Sequence, residues 1–354
     1  MAPADPARWA EALRGGPPVL VTGAAGFVGF HLSMRLLDEG IEVVGFDDLN
    51  PYYDPALKRG RLALLQARPG FRFVEAGLED REAVSRLFDE FRPSHVAHLG
   101  AQAGVRYSIE NPHAYAASNL TGFLNVLEGC RAVGAKHLLY ASSSSVYGGN
   151  GKLPFSTEDP VDHPVSLYAA TKKANEAMAH SYAHVFGLPT TGLRFFTVYG
   201  PWGRPDMAYF LFAEAIAAGR PIRLFNEGRM ERDFTYIDDV VEAVARLLPR
   251  APAPDPGFDR AAPSAATSFA PWRVFNIGNR RMERLGDMVA ILEREIGKPA
   301  IREMAPMQPG DVTATWADVS ALEAEIGWRP DTPLSEGLAR FAAWWRDWKA
   351  APPS

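Results

Sequence analysis

Tyr168 and Lys172 stand four residues apart in a stretch of helical periodicity, which puts both side chains on one helix face. A phenol beside an ammonium can accept a proton near neutral pH, because the cation favours the phenolate. The ammonium can also donate to the hydroxyls of a ribose. Alone, such a couple is a common surface pair. Its setting argues for more: earlier in the chain, Tyr140 and Ala141 lead into four serines, Ser142, Ser143, Ser144 and Ser145. Serines at the end of an apolar strand are poor strand formers and poor core. Hydroxyls placed there can share a proton with a substrate alcohol. Tyr168, Lys172 and this run of serines are therefore the candidates for proton transfer at a carbinol.

A second group of residues could hold a dinucleotide. Gly23, Gly26 and Gly29 follow an apolar strand and open a helical stretch in the pattern G-x-x-G-x-x-G, with Phe27 and Val28 between the last two. The first glycine permits the tight turn, the second lets a pyrophosphate approach the backbone, and the third lets helix and strand pack closely. The amides at the helix N-terminus then face the phosphates. A glycine pattern by itself is a weak signal. Asp47 strengthens it: it closes the second strand, 18 residues past Gly29. A carboxylate there accepts from adenosine ribose hydroxyls and repels a 2′-phosphate, which favours NAD over NADP.

These residues need a scaffold. Apolar β-type runs occur at residues 19–22, 42–46, 71–74, 95–99, 137–141 and 190–195. Helical patterns lie between them at 26–38, 56–66, 81–91, 113–131 and 167–186. Alternation of apolar strands with helices indicates an α/β fold, a Rossmann-type doubly wound parallel sheet covered on both faces. Residues 1–17 read as a flexible N-terminal arm with one helical turn around Trp9, and residues 18–196 as the NAD-binding domain carrying the Tyr/Lys helix. Residues 197–354 form a smaller mixed C-terminal substrate-binding region that closes over the carboxyl edge of the sheet. Some of its segments, beginning with residues 274–277, return to that sheet. Residues 250–271, rich in Ala and Pro, read as a mobile loop.

Composition narrows the function classes. The 354 residues are 47% hydrophobic and 22% charged, with net charge -5, and there is no basic block for nucleic acid. The lone Cys130, in an apolar helical stretch, excludes a disulfide scaffold, a cysteine zinc site or an iron–sulfur cluster, and no metal is implied. No apolar run is long enough to span a membrane, and no secretory signal precedes the first strand. These features lead to the expectation of a cytoplasmic protein.

The motifs together carry a resemblance. Residues 21–31, 101–108, 111–115, 162–168, 193–206 and 232–239 resemble the extended short-chain dehydrogenase/reductase superfamily. Within it, the chain is similar to the NAD-dependent nucleotide-sugar epimerase/dehydratase branch, and most similar to its UDP-glucuronate 4-epimerases. The resemblance spans residues 19 to 345. It implies bound NAD, a UDP-sugar substrate and catalysis by Ser143, Tyr168 and Lys172. The cofactor would be held by Gly23, Gly26, Phe27, Val28, Gly29, Asp47, Asp48, Asn50, Leu78, Leu99, Gln102, Asn119, Ser142, Tyr168, Lys172 and Phe195. The sugar nucleotide would meet Arg106, Ser144, Ser145, Thr197, Arg204, Arg232 and Asp311. Arg204 would clamp a C6 carboxylate, Arg232 the diphosphate and Asp311 the uridine or its ribose. Residues 113–131 and 167–186 resemble the helix pair of a four-helix homodimer interface.

The implied activity interconverts UDP-glucuronate and UDP-galacturonate through a 4-keto sugar. Dehydratases of this branch carry Thr-Asp-Glu before Val-Tyr-Gly, and decarboxylases a Glu; here those positions hold Ser144 and Ser145. The acid that would protonate a leaving hydroxyl is missing. The alternatives are a 4-epimerase of a neutral sugar such as UDP-glucose or UDP-N-acetylglucosamine, a UDP-glucuronate decarboxylase, and a non-catalytic NAD-binding module. Gly77 stands where many relatives carry an adenine-contacting Asp, and Gly100 where Ala is usual.

Overall fold

The computed structural model describes residues 6–307 and 312–350. The first part of the chain alternates as expected. It runs β1 (Val19–Thr22), α1 (Phe27–Asp38), β2 (Val43–Asp47), α2 (Pro55–Gln66), β3 (Phe71–Glu75), α3 (Arg81–Phe91) and β4 (His95–His98). Next come two short helices, α4 (Tyr107–Glu110) and α5 (Pro112–Tyr115), a π-helical turn (Ala116–Thr121) and α6 (Gly122–Val133). β5 (His137–Ser143), α7 (Leu167–Phe186) and β6 (Thr190–Phe195) complete this half. The single helix expected over 113–131 is thus interrupted by a π-turn, inside which Asn119 turns its side chain inward to the backbone of Gln102.

The second half contains β7 (Thr197–Tyr199), α8 (Ala208–Ala217), β8 (Pro221–Phe225), β9 (Glu231–Tyr236) and α9 (Ile237–Leu247). β10 (Trp272–Ile277), β11 (Met282–Arg284), α10 (Leu285–Ile296), β12 (Ile301–Ala305), α11 (Ser320–Ile326) and α12 (Leu334–Ala350) follow. Seven strands make one sheet in the order β10-β6-β5-β4-β1-β2-β3, every pair parallel. A mixed sheet β11-β9-β7 and a pair β12-β8 stand apart from it.

Alternate residues of each strand feed different cores. Leu20, Val44, Val96 and Leu138 enter one apolar cluster, and Val21, Val43, Ala97 and Leu139 the other. A sheet buried on both faces needs such apolar strands, and this one is a Rossmann-type doubly wound sheet. The strand order reverses between β1 and β4, so a crevice opens beyond their carboxyl ends.

Two segments expected to be loose, residues 1–17 and 250–271, make contacts of their own in their described parts. The described part of the N-terminal arm is packed: Pro6–Ala12 form a 3-10 helix, Trp9, Ala10 and Leu13 are buried, and the Arg35 guanidinium lies 5.1 Å from the Trp9 ring centroid. Residues 250–271 hold no named helix or strand, yet side chains tie them down. Glu158 accepts from the Ser264 hydroxyl (2.9 Å) and from the Ala265 amide (3.3 Å). Thr267 donates to Asp255 (2.7 Å), and His180 pairs with Ser268 (2.8 Å). Such long-range and turn-type bonds leave no hydrophobic period in a sequence.

Candidate active site

The crevice is a cavity of about 850 Å³. It is bordered by the first glycine turn, the ends of β2, β4, β5 and β6, the start of α7, and residues of the C-terminal region. At its floor Gly23 has φ +69°, a left-handed conformation that glycine adopts without strain. A Cβ on Gly29 would lie 2.1 Å from the Gly23 carbonyl oxygen, so the helix can reach this close to the strand only with glycine there. Gly26 caps α1 without a side-chain hydrogen bond, and the leading amides of the helix are left for an anion.

Asp47 sits at the tip of β2. Its two oxygens accept from the backbone amides of Ala25 (3.1 Å) and Leu49 (2.9 Å), which leaves lone pairs for ribose hydroxyls. Burial pushes its carboxyl pKa up, and the Lys58 ammonium, 3.8 Å away, opposes that. Glycine turn, open helix terminus and strand-end carboxylate fit a dinucleotide. Phe27, Val28, Asp48, Asn50, Leu78, Leu99, Gln102, Ser142 and Phe195 also line the cavity. Asn119 does not line it. It is buried, and its amide is consumed by the Gln102 backbone and the Thr171 hydroxyl, so it shapes the wall from behind.

The serines divide the work. Ser142 donates to Glu176 (2.6 Å). Ser143 accepts from the Ser145 amide (3.2 Å) and so caps the 3-10 turn Ser144–Tyr147, which places Ser144 and Ser145 on the cavity wall. Ser166 caps α7 through the Ala169 amide (3.1 Å), fixing where the helix begins and hence where Tyr168 points. Ser143 and Tyr168 both line the cavity.

Several groups act on the Tyr168 phenol. Burial raises the phenol pKa; what pulls it down is the Ser143 hydroxyl and then the positive charge of Arg204. The Lys172 ammonium donates to the Ala141 carbonyl (2.8 Å), and burial lowers its pKa to about 8. Four-residue spacing shares a helix face but does not fix where a long side chain ends.

Thr197, Arg204, Arg106 and Arg232 also line the cavity. Arg204 follows a firm turn. Trp202 has φ +57°, and Arg61 grips it, donating to the carbonyls of Trp202 (3.0 Å), Gly203 (3.1 Å) and Ala25 (2.9 Å). The Nε–Nη2 edge of Arg204 is held by Asp206, at 3.0 and 2.6 Å, and the Tyr52 hydroxyl donates to Asp206 (3.1 Å). A ligand carboxylate can therefore meet Arg204 only end-on. Arg106 stacks on Phe225, 4.7 Å from its centroid. Arg232 is held by the carbonyls of Glu231 (2.9 Å), Thr313 (3.1 Å) and Val312 (2.7 Å). Asp311 lies outside the described residues.

Sequence reasoning missed Lys58, Tyr52, Asp206 and the Glu176–Arg194 pair behind Ser142. Asp206 lies two residues from Arg204 and was within reach of an i,i+2 argument; Tyr52 is 154 residues from its partner and was not.

Comparisons with known proteins bear on the family and the fold. Residues 19–257 match the NAD dependent epimerase/dehydratase family. The chain is 53% identical over 330 residues to the Rhizobium meliloti protein named "Probable UDP-glucuronate 4-epimerase", covering 92% of this chain and 96% of that one. It is 48% identical over 346 residues to UDP-glucuronate 4-epimerase 4 of Arabidopsis thaliana, covering 96% and 77%. Its fold matches the crystal structure of UDP-glucuronic acid 4-epimerase from Bacillus cereus in complex with UDP-glucuronic acid and NAD. The TM-score is 0.83 and the identity 31%, with 94% of this chain and 99% of that chain covered.

Proposed function

The chain belongs to the NAD-dependent epimerase/dehydratase family, and on that premise we propose that it is a UDP-glucuronate 4-epimerase. One observation carries the choice of substrate. The Arg204 cation shares the cavity with Tyr168 and is near enough to pull its phenol pKa down. In a glucuronate ring the carboxylate carbon is bonded to C5, next to C4. A base that serves the C4 hydroxyl therefore needs a cation beside it if the sugar is an acid. A neutral sugar gives Arg204 no such partner.

When bound, NAD+ supplies the hydride acceptor and donor at C4 and a positive charge that favours the phenolate. Tyr168, through Ser143, takes the proton of the C4 hydroxyl as C4 becomes a ketone, and returns a proton to that oxygen once the ring has turned. Lys172 lies against the Ala141 carbonyl at the foot of this relay and offers its other protons to ribose hydroxyls. Arg232 holds the diphosphate about which the keto sugar turns. Hydride returned to the opposite face inverts C4.

The 4-keto acid has a carbonyl β to its carboxylate and is inclined to lose CO₂. Ser144, Ser145, Thr197 and Arg204 suppress that loss by holding the carboxylate in an orientation poor for C–C cleavage. Ser144 and Ser145 stand where a dehydratase or decarboxylase would present an acid, which speaks against both of those reactions.

We further read the enzyme as a cytoplasmic homodimer. Leu124 on α6 and Leu167, Val185 and Phe186 on α7 are large apolar side chains left exposed on the two long neighbouring helices. No helix among the described residues is long and apolar enough to cross a membrane. Sedimentation at micromolar protein should give a dimer; monomer alone would remove that part of the reading.

The test of function is product analysis after incubation with UDP-glucuronate. A product of unchanged mass co-eluting with UDP-galacturonate on anion exchange is expected. A product lighter by CO₂ would make the protein a decarboxylase, and turnover of UDP-glucose alone would make it a neutral-sugar epimerase.

A further inference from the structure

We propose that Asp206 is a specificity-determining residue that tempers Arg204, making it cation enough to select an acidic sugar and weak enough to release it when the ring turns. The inference rests on the epimerase reading above and deepens it.

The pair is preformed. Only Pro205 separates the two residues, and Asp206 grips the Nε–Nη2 edge by both oxygens. The side chains are 24% and 29% exposed, so the pair is neither a solvated surface couple nor sealed from ligand. Tyr52, donating to Asp206 from the loop after β2, keeps the carboxylate from swinging away. That loop also carries Asn50 and follows Asp47, so Arg204 is braced from the cofactor side of the cavity.

Inversion at C4 requires the sugar to show both faces to the same base. The C6 carboxylate must leave its first partners and find others on the way. An interaction stronger in either resting pose than during rotation raises the barrier to rotation. An arginine with no counter-ion would bind the carboxylate end-on with its full charge and hold the ring in one pose. Asp206, a guanidinium's width behind, cancels part of that charge and repels the incoming carboxylate. Selectivity is given up for turnover. Tyr52 sets the balance, because each hydrogen bond donated to Asp206 withdraws some of its charge from Arg204.

The test separates affinity from turnover. In a Tyr168→Phe background, where turnover is greatly slowed, calorimetric titration reads the affinity for UDP-glucuronate and for UDP-glucose. Adding Asp206→Asn should tighten UDP-glucuronate about fivefold, the worth of one half-exposed charge pair, with UDP-glucose changed less than twofold. In the otherwise native enzyme the same change should lower both kcat and KM for UDP-glucuronate, and Asp206→Glu should restore both. Weaker UDP-glucuronate binding in Asp206→Asn would mean that Asp206 only aims Arg204, and equal shifts for both sugars would mean damage to the fold; either overturns the proposal. Should Asp206→Asn fail to fold, Tyr52→Phe tests the idea with the opposite sign. Asp206 then acts more strongly on Arg204, and UDP-glucuronate alone should bind more weakly; no change, or tighter binding, overturns it. Native enzyme that turns over only neutral UDP-sugars removes the functional reading instead, and the paired affinities still decide the role of Asp206.

Discussion

Glu176, on the helix that carries Tyr168, holds Arg194 of β6 by two hydrogen bonds, Oε1 to Nε at 2.9 Å and Oε2 to Nη2 at 3.0 Å. Both side chains are almost fully buried. Ser142 donates to the same carboxylate, and Tyr147 lies beside the same guanidinium (3.1 Å). The pair thus ties α7 to β5 and β6 at the point where the strands deliver Ser143.

Removing one partner strands the other as a buried charge. Arg194→Met should cost about 3–5 kcal/mol of folding stability, and adding Glu176→Leu should recover most of it. Urea unfolding followed by circular dichroism measures both. A double variant as unstable as the single one would show that the pair does more than neutralise itself.

Arg204→Ala removes this cation from the cavity lining. The loss of charged hydrogen bonds should cost about 1.5–3 kcal/mol, roughly 10–150-fold in kcat/KM for UDP-glucuronate. UDP-glucose has no carboxylate, and its binding should change little. Equal losses for the two sugars would contradict the carboxylate role.

Tyr168→Phe deletes the proton acceptor and keeps the ring, which meets Tyr115 edge-on at 6.1 Å. The rate should fall roughly 10²–10⁴-fold while UDP-glucuronate still binds, as steady-state kinetics and calorimetry would show. Unchanged turnover would assign the base elsewhere.

His98 and His137 are 3% and 0% exposed, and burial holds both pKa values near 3, down from 6.5. His98 is paired with Thr22; His137 with the Leu248 carbonyl and Thr191. Above pH 6.5 neither folded nor unfolded chain protonates them, and they give stability no slope. Below it only the unfolded chain takes up protons, so stability falls with pH by up to about 1.4 kcal/mol per unit per histidine. Thermal unfolding at pH 7.5 and 5.5 should show a drop that His137→Asn reduces. An identical drop in the variant would place the proton uptake elsewhere.

Local spacing made much of the site legible. Gly23, Gly26, Gly29 and Asp47 follow directly from a strand–turn–helix–strand unit, and the run Ser142, Ser143, Ser144 and Ser145 from a strand that ends in hydroxyls. The extent of α7 was readable because its helical period runs unbroken over residues 167–186. What depends on side chains reaching across the fold was not. Lys172 turning to Ala141, Asn119 facing Gln102, Tyr52 meeting Asp206 and the tethering of residues 250–271 all join segments whose proximity only the packed chain creates. The π-turn at residues 116–121 was hidden for another reason: it keeps the apolar period nearly intact.

The most direct test of the central claim is conversion of UDP-glucuronate in deuterated water, with the product read by proton NMR and mass. One base serving one hydroxyl, with hydride leaving and returning at C4, predicts UDP-galacturonate of unchanged mass, its C4 and C5 hydrogens both retained. Deuterium at C5 would reveal proton abstraction beside the carboxylate, and deuterium at C4 would mean that the hydrogen there comes from solvent; either result contradicts the roles given to Ser143, Tyr168 and Arg204.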